Sequence, residues 1–345
     1  MELLQWKVVR VIPEAKNTIS YVLEPLGEQA VTYQAGQFLT FLFNVHGQEV
    51  RRSFSLGSTP GIDPQVFITV KKKENGALSR YILEHWQVDT VVDTLPATGR
   101  FTLDTDAAFE RQVFFIAAGS GITPVYALLK KLLNEEPHSR AVLLYQNHDE
   151  NTIIYHEALQ ALKKSFGNRF TRIDLLSYPI LHKIPHQRLS NGLFEILIHQ
   201  YLQPGLHPTL YYTCGPAPFM RMVQFTLRVT GVPEAFIRKE NFTVDTLPPP
   251  AFTIDAAPRK VQVRQGARIH EFEVSYPDTI LQAAQHHHIH LPYSCKGGRC
   301  GACTAHCISG TVKMNMNEVL TENDLQKGLI LTCVGYALTD LTLEL

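Results

Sequence analysis

The sequence predicts a chain of three units: a small antiparallel β-barrel, a doubly wound α/β unit with a parallel sheet, and a compact α+β unit around a cysteine-rich loop. Three observations carry this prediction. Residues 1–103 hold short β-branched and aromatic runs separated by turn signals. Residues 104–243 alternate buried strand-like runs with segments of helical period. Residues 261–345 follow a proline-rich linker, 244–260, and open on strands before the stretch PYSCKGGRCGAC.

Composition narrows the function classes. At 345 residues, 45% hydrophobic and 19% charged, the chain is long enough for two or three domains. Lysine plus arginine numbers 32, as does aspartate plus glutamate. That balance argues against a nucleic-acid or anionic-membrane binder, which carries a basic excess. The segment MELLQWKVVRVIPEAK is broken by charge and a proline, and no run approaches a membrane span. Five of the six cysteines lie beyond residue 290. With no export signal, such clustering points to metal or redox chemistry rather than disulfides, and the cytoplasm is the expected location.

The elements follow in order. LLQWKVVRVI, TISYVLE, QFLTFLFNV and QVFITVKKK read as barrel strands, with GALSRYILEHW (76–86) the one helical interruption. RQVFFIAA (111–118) is a buried strand, AGSGITP breaks it, and VYALLKKLLN continues at helical spacing. AVLLYQN (141–147) precedes the helix HEALQALKKSF. The strand FTRIDLLSY, a helix around 191–202 and the strand TLYYTC (209–214) complete the alternation. VDTLPPPAFTIDAAPRK has no period and reads as a semi-rigid linker. Beyond it come the strands VQVRQ and HEFEVSY and a helix at 278–288.

The cysteine spacing is the most specific signal. Cys295-x4-Cys300-x2-Cys303, with Cys333 far downstream, is the plant-type pattern of four thiolates converging on a [2Fe–2S] cluster. Gly297, Gly298 and Gly301 let the backbone turn its amides toward the sulfurs, in conformations a Cβ would resist. A structural zinc site with four cysteine ligands is the competing reading. Zinc sites pair two short C-x2–4-C hairpins, whereas here three ligands crowd one loop and the fourth stands alone. Cys307 falls outside the pattern and is expected to be a buried thiol. The run QHHHIH (285–290) places His286 and His290 at i, i+4, but no cysteine or carboxylate matches that spacing, so a solvated helix end is expected. LPYSCKGGRCGAC and LTCVGYALTDLTLEL resemble the plant-type ferredoxins, which implies a β-grasp fold for 261–345.

In the first unit, Arg52-Ser53-Phe54-Ser55 offers a cation, a flat ring and a hydroxyl. Gly76-Ala77-Leu78-Ser79 opens a helix, where free N–H groups favour a phosphate. Each is weak alone, since G-x-x-S is also an ordinary helix start. In this order, residues 1–243 resemble the ferredoxin–NADP+ reductase superfamily, whose R-x-Y-S and G-x-x-S motifs bind FAD. The resemblance implies that Arg52 holds the pyrophosphate, Phe54 stacks on the isoalloxazine and Ser55 lies near flavin N5. Gly76, Ala77, Leu78 and Ser79 would hold the pyrophosphate, favouring FAD over FMN. Lys71 matches a basic position of the same motif, or is solvated. The run Leu95 to Phe101, LPATGRF, resembles the family's closing barrel segment. Phe54 replaces the family's usual Tyr, which keeps stacking and removes one hydrogen bond.

AGSGITP (118–124) lies between a strand and a helix, the context for a pyrophosphate at a helix N-terminus. A plain β–α turn explains its glycines but not the matching TCGPAPFM (213–220). The resemblance implies that Gly119, Gly121 and Thr123 contact nucleotide and flavin, and that Cys214 and Gly215 sit where the nicotinamide docks. Glu240 and Phe242 match the end of the reductase module, with Glu240 either supplying protons or forming a structural salt bridge. Ser55, Cys214 and Glu240 are the expected catalytic residues. His148, Asp149 and Glu150 stand where relatives often carry an arginine for the NADPH 2′-phosphate. That charge favours NADH, with Arg140, Lys163 and Lys164 as possible substitutes, so the donor is written NAD(P)H.

The resemblance spans nearly the whole chain and is shared with reductase components of bacterial oxygenases. Within the family it runs most strongly to phenylacetate-pathway reductases. It implies an oxidoreductase that passes electrons from NAD(P)H to FAD, to [2Fe–2S], and on to a di-iron oxygenase that epoxidises phenylacetyl-CoA. Reductases of steroid hydroxylases and fatty-acid desaturases share the layout. Two rivals remain: an enzyme running in reverse to make NAD(P)H, and a non-enzymatic binding protein stabilised by zinc. Residues 261–345 carry six Lys/Arg and eight Asp/Glu, a mild excess that suits tethered delivery. Lys296 and Arg299 offset the cluster's charge, contact a partner, or are solvated.

Overall fold

The computed structural model describes residues 3–27, 31–181, 184–242, 252 and 254–345. The first unit contains β1 (Leu4–Ala15), β2 (Thr18–Pro25), β3 (Phe38–Val45), β4 (Gln48–Ser55), β5 (Val66–Lys71), helix α1 (Ala77–His85) and β6 (Val91–Thr98). These strands form an antiparallel sheet in the order β4-β3-β6-β1-β2-β5. A bridge from Leu56 to Ile68 draws the two edges together, and Gly57 N–H donates to the Phe67 carbonyl at 3.0 Å. The sheet thus closes toward a barrel, which hides edges that would otherwise pair with another chain. Alternation along the strands buries Trp6, Val8, Tyr21, Leu23, Leu39 and Phe41, while α1 adds Ile82. The Trp6 indole N–H donates to Thr94 at 2.8 Å, so its burial leaves no polar group unpaired.

The second unit comprises β7 (Gln112–Ala118), α2 (Ile122–Glu135), β8 (Arg140–Asn147), α3 (His156–Phe166), β9 (Phe170–Leu176), α4 (Asn191–Tyr201), β10 (Thr209–Cys214), α5 (Ala217–Val229) and β11 (Ile237–Glu240). Its sheet, ordered β11-β10-β7-β8-β9, is parallel throughout. Every residue of β7 is buried, as expected where helices cover both faces. Val113, Phe115 and Ala117 join the core on one face, and Phe114 and Ile116 the core on the other. The first of these cores continues into the barrel through Ala35, Phe101 and Leu103. The two units therefore pack as one body. Strand order reverses between β7 and β10, the place where open α/β sheets bind ligands beyond their carboxyl ends.

The third unit holds β12 (Arg259–Gln265), β13 (Arg268–Val274), α6 (Ile280–His286), β14 (Thr304–Ser309), β15 (Val312–Met314), α7 (Glu322–Gln326), β16 (Leu329–Leu331), β17 (Gly335–Ala337) and β18 (Leu341–Glu344). Its main sheet runs β13-β12-β18-β14-β16, with β12 antiparallel to β13 and parallel to β18. Helix α6 crosses the sheet and buries Ile280, Leu281, Ala283 and Ala284. Thr279 and Gln282 close its first turn as a reciprocal cap. Most of the expected linker, 244–260, lies outside the described residues, and β12 begins at Arg259. Among the described residues no helix is long and apolar enough to cross a membrane.

Candidate electron-transfer site

Side chains alternate along β4, so Arg51, Ser53 and Ser55 share one face. Each meets a distant part of the chain. The Arg51 guanidinium donates to the Tyr293 carbonyl at 3.1 Å, Ser53 and Ser294 hydroxyls bond at 2.5 Å, and the Ser55 hydroxyl donates to Glu240 Oε2 at 3.0 Å. Arg52 and Phe54 share the other face. Phe54 is half-buried and edge-on to Phe41, with ring centroids 5.7 Å apart. Arg52 is exposed and turns Nη1 onto the Arg51 carbonyl at 2.7 Å.

Gly76 starts α1 without a side-chain cap. The Ser79 hydroxyl instead donates to the Gly76 carbonyl at 3.0 Å and accepts from Lys73 N–H at 3.1 Å. Ala77 and Leu78 thus present first-turn amides without a cap, donors suited to a pyrophosphate. An exposed guanidinium, a half-buried ring and an uncapped helix start fit a flavin dinucleotide.

Ser55, Glu240 and Cys214, expected to act together, are brought together. Cys214 pairs with Glu240 in parallel register at the ends of β10 and β11. Burial pushes the Glu240 carboxyl up to about 8, and the Ser55 hydroxyl bond offsets part of that rise. Burial likewise pushes the Cys214 thiol well up, with the Glu240 charge adding to it. At neutral pH all three groups hold their protons. The expected alternative, a salt-bridged Glu240, has no support: among the described residues Glu240 has no ion-pair partner.

The phosphate-type loop lies at the carboxyl end of β7. Gly119 takes φ +54, and a Cβ on Gly121 would stand 2.2 Å from the Cys214 carbonyl oxygen. Gly121 is therefore required where α2 meets β10. Gly215 faces Ala118 and Phe219 more loosely, at 3.0 Å. Among the described residues the buried Thr213 hydroxyl finds no hydrogen-bond partner, and such a group at this end of the sheet fits a nucleotide that would satisfy it. Lys71 lies on this seam, its Nζ 3.5 Å from where a Gly119 side chain would begin. Burial lowers the pKa of Lys71, and the Asp149 charge offsets part of the change.

The cations considered for a 2′-phosphate are placed elsewhere. Arg140 begins β8, at the opposite end from Asn147. Lys163 donates to the Gly167 and Phe170 carbonyls at that same far end, and Lys164 is exposed on α3. His148, at the near end, bonds Asp149 at 3.0 Å and stacks on Tyr178 at 4.8 Å.

Cys295, Cys300, Cys303 and Cys333 converge. Their sulfurs bond in the chain Cys300–Cys295–Cys333–Cys303. Gly297 N–H donates to Cys295 Sγ at 3.3 Å and Ala302 N–H to Cys300 Sγ at 3.5 Å. Hydrogen bonding from Cys300 and Cys333 lowers the Cys295 thiol, and Cys333 also lowers Cys303. Four thiols gathered in this way fit two iron centres sharing four thiolates. The left-handed residues here are Lys296, Gly298 and Gly301. Gly297 is not among them, contrary to expectation.

Other expectations change. Cys307 is half-exposed rather than buried, with Sγ 3.5 Å from the Ser309 carbonyl, because the β14 register shifts there. His286 bonds Asp278 at 2.9 Å on the surface, and α6 ends at that residue. Arg299 pairs with Glu318 at 3.4 Å. Sequence reasoning missed Arg51, Ser53, Tyr293 and Ser294, whose partners lie 241 or 242 residues away. The available signal was period two: Ser53 and Arg51 share the face of Ser55.

Comparison with known proteins agrees with this geometry. Models of an oxidoreductase FAD-binding domain, an oxidoreductase NAD-binding domain and a 2Fe-2S iron-sulfur cluster binding domain match residues 6–103, 115–224 and 264–338. A 1,2-phenylacetyl-CoA epoxidase subunit from Escherichia coli K12 is 30% identical over 339 residues, 96% of this chain and 94% of that protein. The ferredoxin reductase component of 3-ketosteroid-9-alpha-monooxygenase from Mycolicibacterium smegmatis is 30% identical over 353 residues, covering 98% and 95%. In fold, phthalate dioxygenase reductase matches at TM-score 0.58 and 22% identity over 99% of this chain and 98% of that one. A flavin, a nicotinamide and a cluster domain in that order, with 30% identity end to end, place the chain in the ferredoxin–NADP+ reductase superfamily, as an NAD(P)H-dependent oxidoreductase with a C-terminal [2Fe–2S] domain.

Proposed function

We propose that this chain is the reductase component of a di-iron oxygenase of the phenylacetyl-CoA epoxidase type, and that NADH is its donor. One observation carries the reading: a single face of β4 meets Glu240 through Ser55 and the residue before Cys295 through Ser53. When bound, the nicotinamide supplies a hydride, the flavin accepts electrons in pairs and parts with them singly, and the cluster carries one at a time.

The chain's own residues orient and insulate. Arg52, Ala77 and Leu78 would anchor the flavin's pyrophosphate, with Phe54 against its ring. Ser55 and protonated Glu240 present hydrogen-bond donors at the seam of the barrel and the parallel sheet. Cys214 and Gly215 form the floor on which a nicotinamide rests, and buried, neutral Cys214 keeps charge away from it. The donor assignment rests on charge: Arg140 and Lys163 lie at the far end of the sheet, while Asp149 and Glu150 lie near the end that binds nucleotides. Likeness to the Escherichia coli protein supports the partner.

A second reading, a steroid monooxygenase as acceptor, is favoured by the equal identity to the 3-ketosteroid reductase component. An anaerobic titration followed by visible absorption tests the proposal. NADH should bleach flavin and cluster bands together, with about three electrons taken up in all, two by flavin and one by cluster. The reduced protein should then reoxidise faster on mixing with a phenylacetyl-CoA epoxidase oxygenase than with a steroid oxygenase. The opposite order would move the assignment to the second reading, and a colourless protein would end both.

A further inference from the structure

One group of contacts between the cluster loop and the barrel centres on a single ring, that of Tyr293. Arg51 stacks its guanidinium 3.8 Å above the Tyr293 ring centroid, and Lys296 brings its ammonium to 4.6 Å from the same centroid. Arg51 also donates to the Tyr293 carbonyl at 3.1 Å, so ring and backbone are gripped at once. Glu49, two residues earlier on the same face of β4, accepts from Arg51 Nε at 2.8 Å and fixes the guanidinium plane. The Arg51 side chain is only 12% exposed. Lys296 is held from the other side by the Gln285 side chain at 3.2 Å. A planar guanidinium can stack and donate sideways together, which an ammonium cannot.

The placement matters more than the contact. Tyr293 and Ser294 immediately precede Cys295, and Ser294 bonds Ser53, the next residue on Arg51's face. Arg51 itself adjoins Arg52, two residues before Phe54. The grip thus ties the first cysteine of the loop to the strand bearing the flavin motif. Two further ties reach later turns of the loop: Arg100, paired with Asp324, packs on Gly301, and Asn241 bonds Glu318 at 2.5 Å, whose N–H donates to the Gly298 carbonyl; Arg51 holds the entry to the loop, just before Cys295.

We infer that Arg51 is a positioning residue, which clamps Tyr293 and so sets the cluster loop in register with the flavin-binding strand. It rests on the electron-transfer reading above for its purpose, though not for its geometry. The clamp touches neither the nucleotide loop nor the Ser55–Glu240 pair, so its loss should separate two events that are otherwise linked.

The test uses full-length protein carrying Arg51→Gln, Tyr293→Leu or Tyr293→Phe, each with flavin and iron content confirmed. Amide hydrogen exchange at 293–296 should rise at least tenfold in R51Q and Y293L and stay at the wild-type rate in Y293F, because the clamp grips the Tyr293 ring and carbonyl, both of which phenylalanine keeps. In anaerobic stopped-flow, flavin bleaching by NADH should remain within about twofold of wild type in all three. Cluster bleaching should slow tenfold or more in R51Q and Y293L alone. Wild-type exchange at 293–296 in both R51Q and Y293L would overturn the clamp, as would cluster and flavin phases slowed equally. If the wild-type cluster is never bleached by NADH, the electron-transfer reading fails while the exchange measurement still decides the clamp.

Discussion

Ser55 and Glu240 are separated by 185 residues, and the Ser55 hydroxyl donates to Glu240 Oε2 across 3.0 Å. The bond joins the last residue of β4 to the last residue of β11, so it closes the seam between the barrel and the parallel sheet. Both ends are buried, at 7% and 8% exposure, and a bond to a group so withdrawn from water governs that group's protonation.

Glu240 should therefore make stability depend on pH in a specific direction. Its carboxyl sits at about 8 in the folded chain, against 4.5 for a freely solvated glutamate. The folded state then binds a proton that the unfolded state has released, so stability falls as pH rises from about 4.5 to about 8 and levels off above. The maximum slope is about 1.4 kcal/mol per pH unit. Urea unfolding at pH 6 and pH 8 should show this fall in the wild type and a shallower one in Glu240→Gln. Equal slopes would mean that Glu240 is ionised throughout.

Ser55→Ala removes the bond that lowers the Glu240 carboxyl, so the group should titrate still higher. We expect flavin reduction by NADH to slow by roughly tenfold to a thousandfold, the range for a lost donor at a reacting centre. Its pH profile should shift upward relative to the wild type. An unchanged rate and profile would exclude Ser55 from the site.

Gly121→Ala places a methyl group 2.2 Å from the Cys214 carbonyl oxygen. Backbone must move, and a destabilisation of about 2–3 kcal/mol is expected. Gly192→Ala is the control, since nothing lies within 4 Å of its Cβ position in α4. Helix propensity alone should stabilise that variant by up to about 1 kcal/mol. Thermal or urea denaturation of the pair measures the difference directly.

Replacing Cys295, Cys300, Cys303 or Cys333 singly by Ser should abolish the cluster's visible bands and bound iron, because each supplies one of four thiolates. Cys307→Ser should leave both intact, since its sulfur points to the Ser309 and Gly310 carbonyls and lies outside the group of four converging cysteines. Retention of iron in any of the first four would break the ligand assignment.

NADH should be preferred over NADPH by tenfold or more in kcat/KM, and Arg140→Gln or Lys163→Gln should not alter the ratio. Arg188, on the segment that Gln146 holds through Leu189 N–H, is the residue to remove if NADPH proves the better donor. Steady-state kinetics with both nucleotides decides.

Much of this was legible in the sequence because the signals are local. Period two marked the barrel strands, continuous apolar runs marked β7 and β8, and the span of α3 followed from its helical spacing. The cysteine spacing identified the cluster, since four ligands within one fold must recur at a fixed backbone geometry. Ser55, Cys214 and Glu240 came from family resemblance, and the structure brings them to one place. Local signals were weaker where side chains depend on remote neighbours. Cys307 resembled a buried thiol until a register shift in β14 half-exposed it, and Lys71, read as a basic position of the flavin motif or as solvated, is set by the fold beside Gly119.

The sequence by itself determined the three units, their order and the donor chemistry of each, because helix period, strand alternation and ligand spacing are properties of neighbouring residues. Only the tertiary structure decided how the units meet. Period two places Arg51 and Ser53 on the face of Ser55, but nothing local points them at Tyr293 and Ser294, the partners through which they align the cluster loop with the flavin strand. Their contacts join residues more than 240 positions apart, and such pairs form only once separate cores have folded and packed.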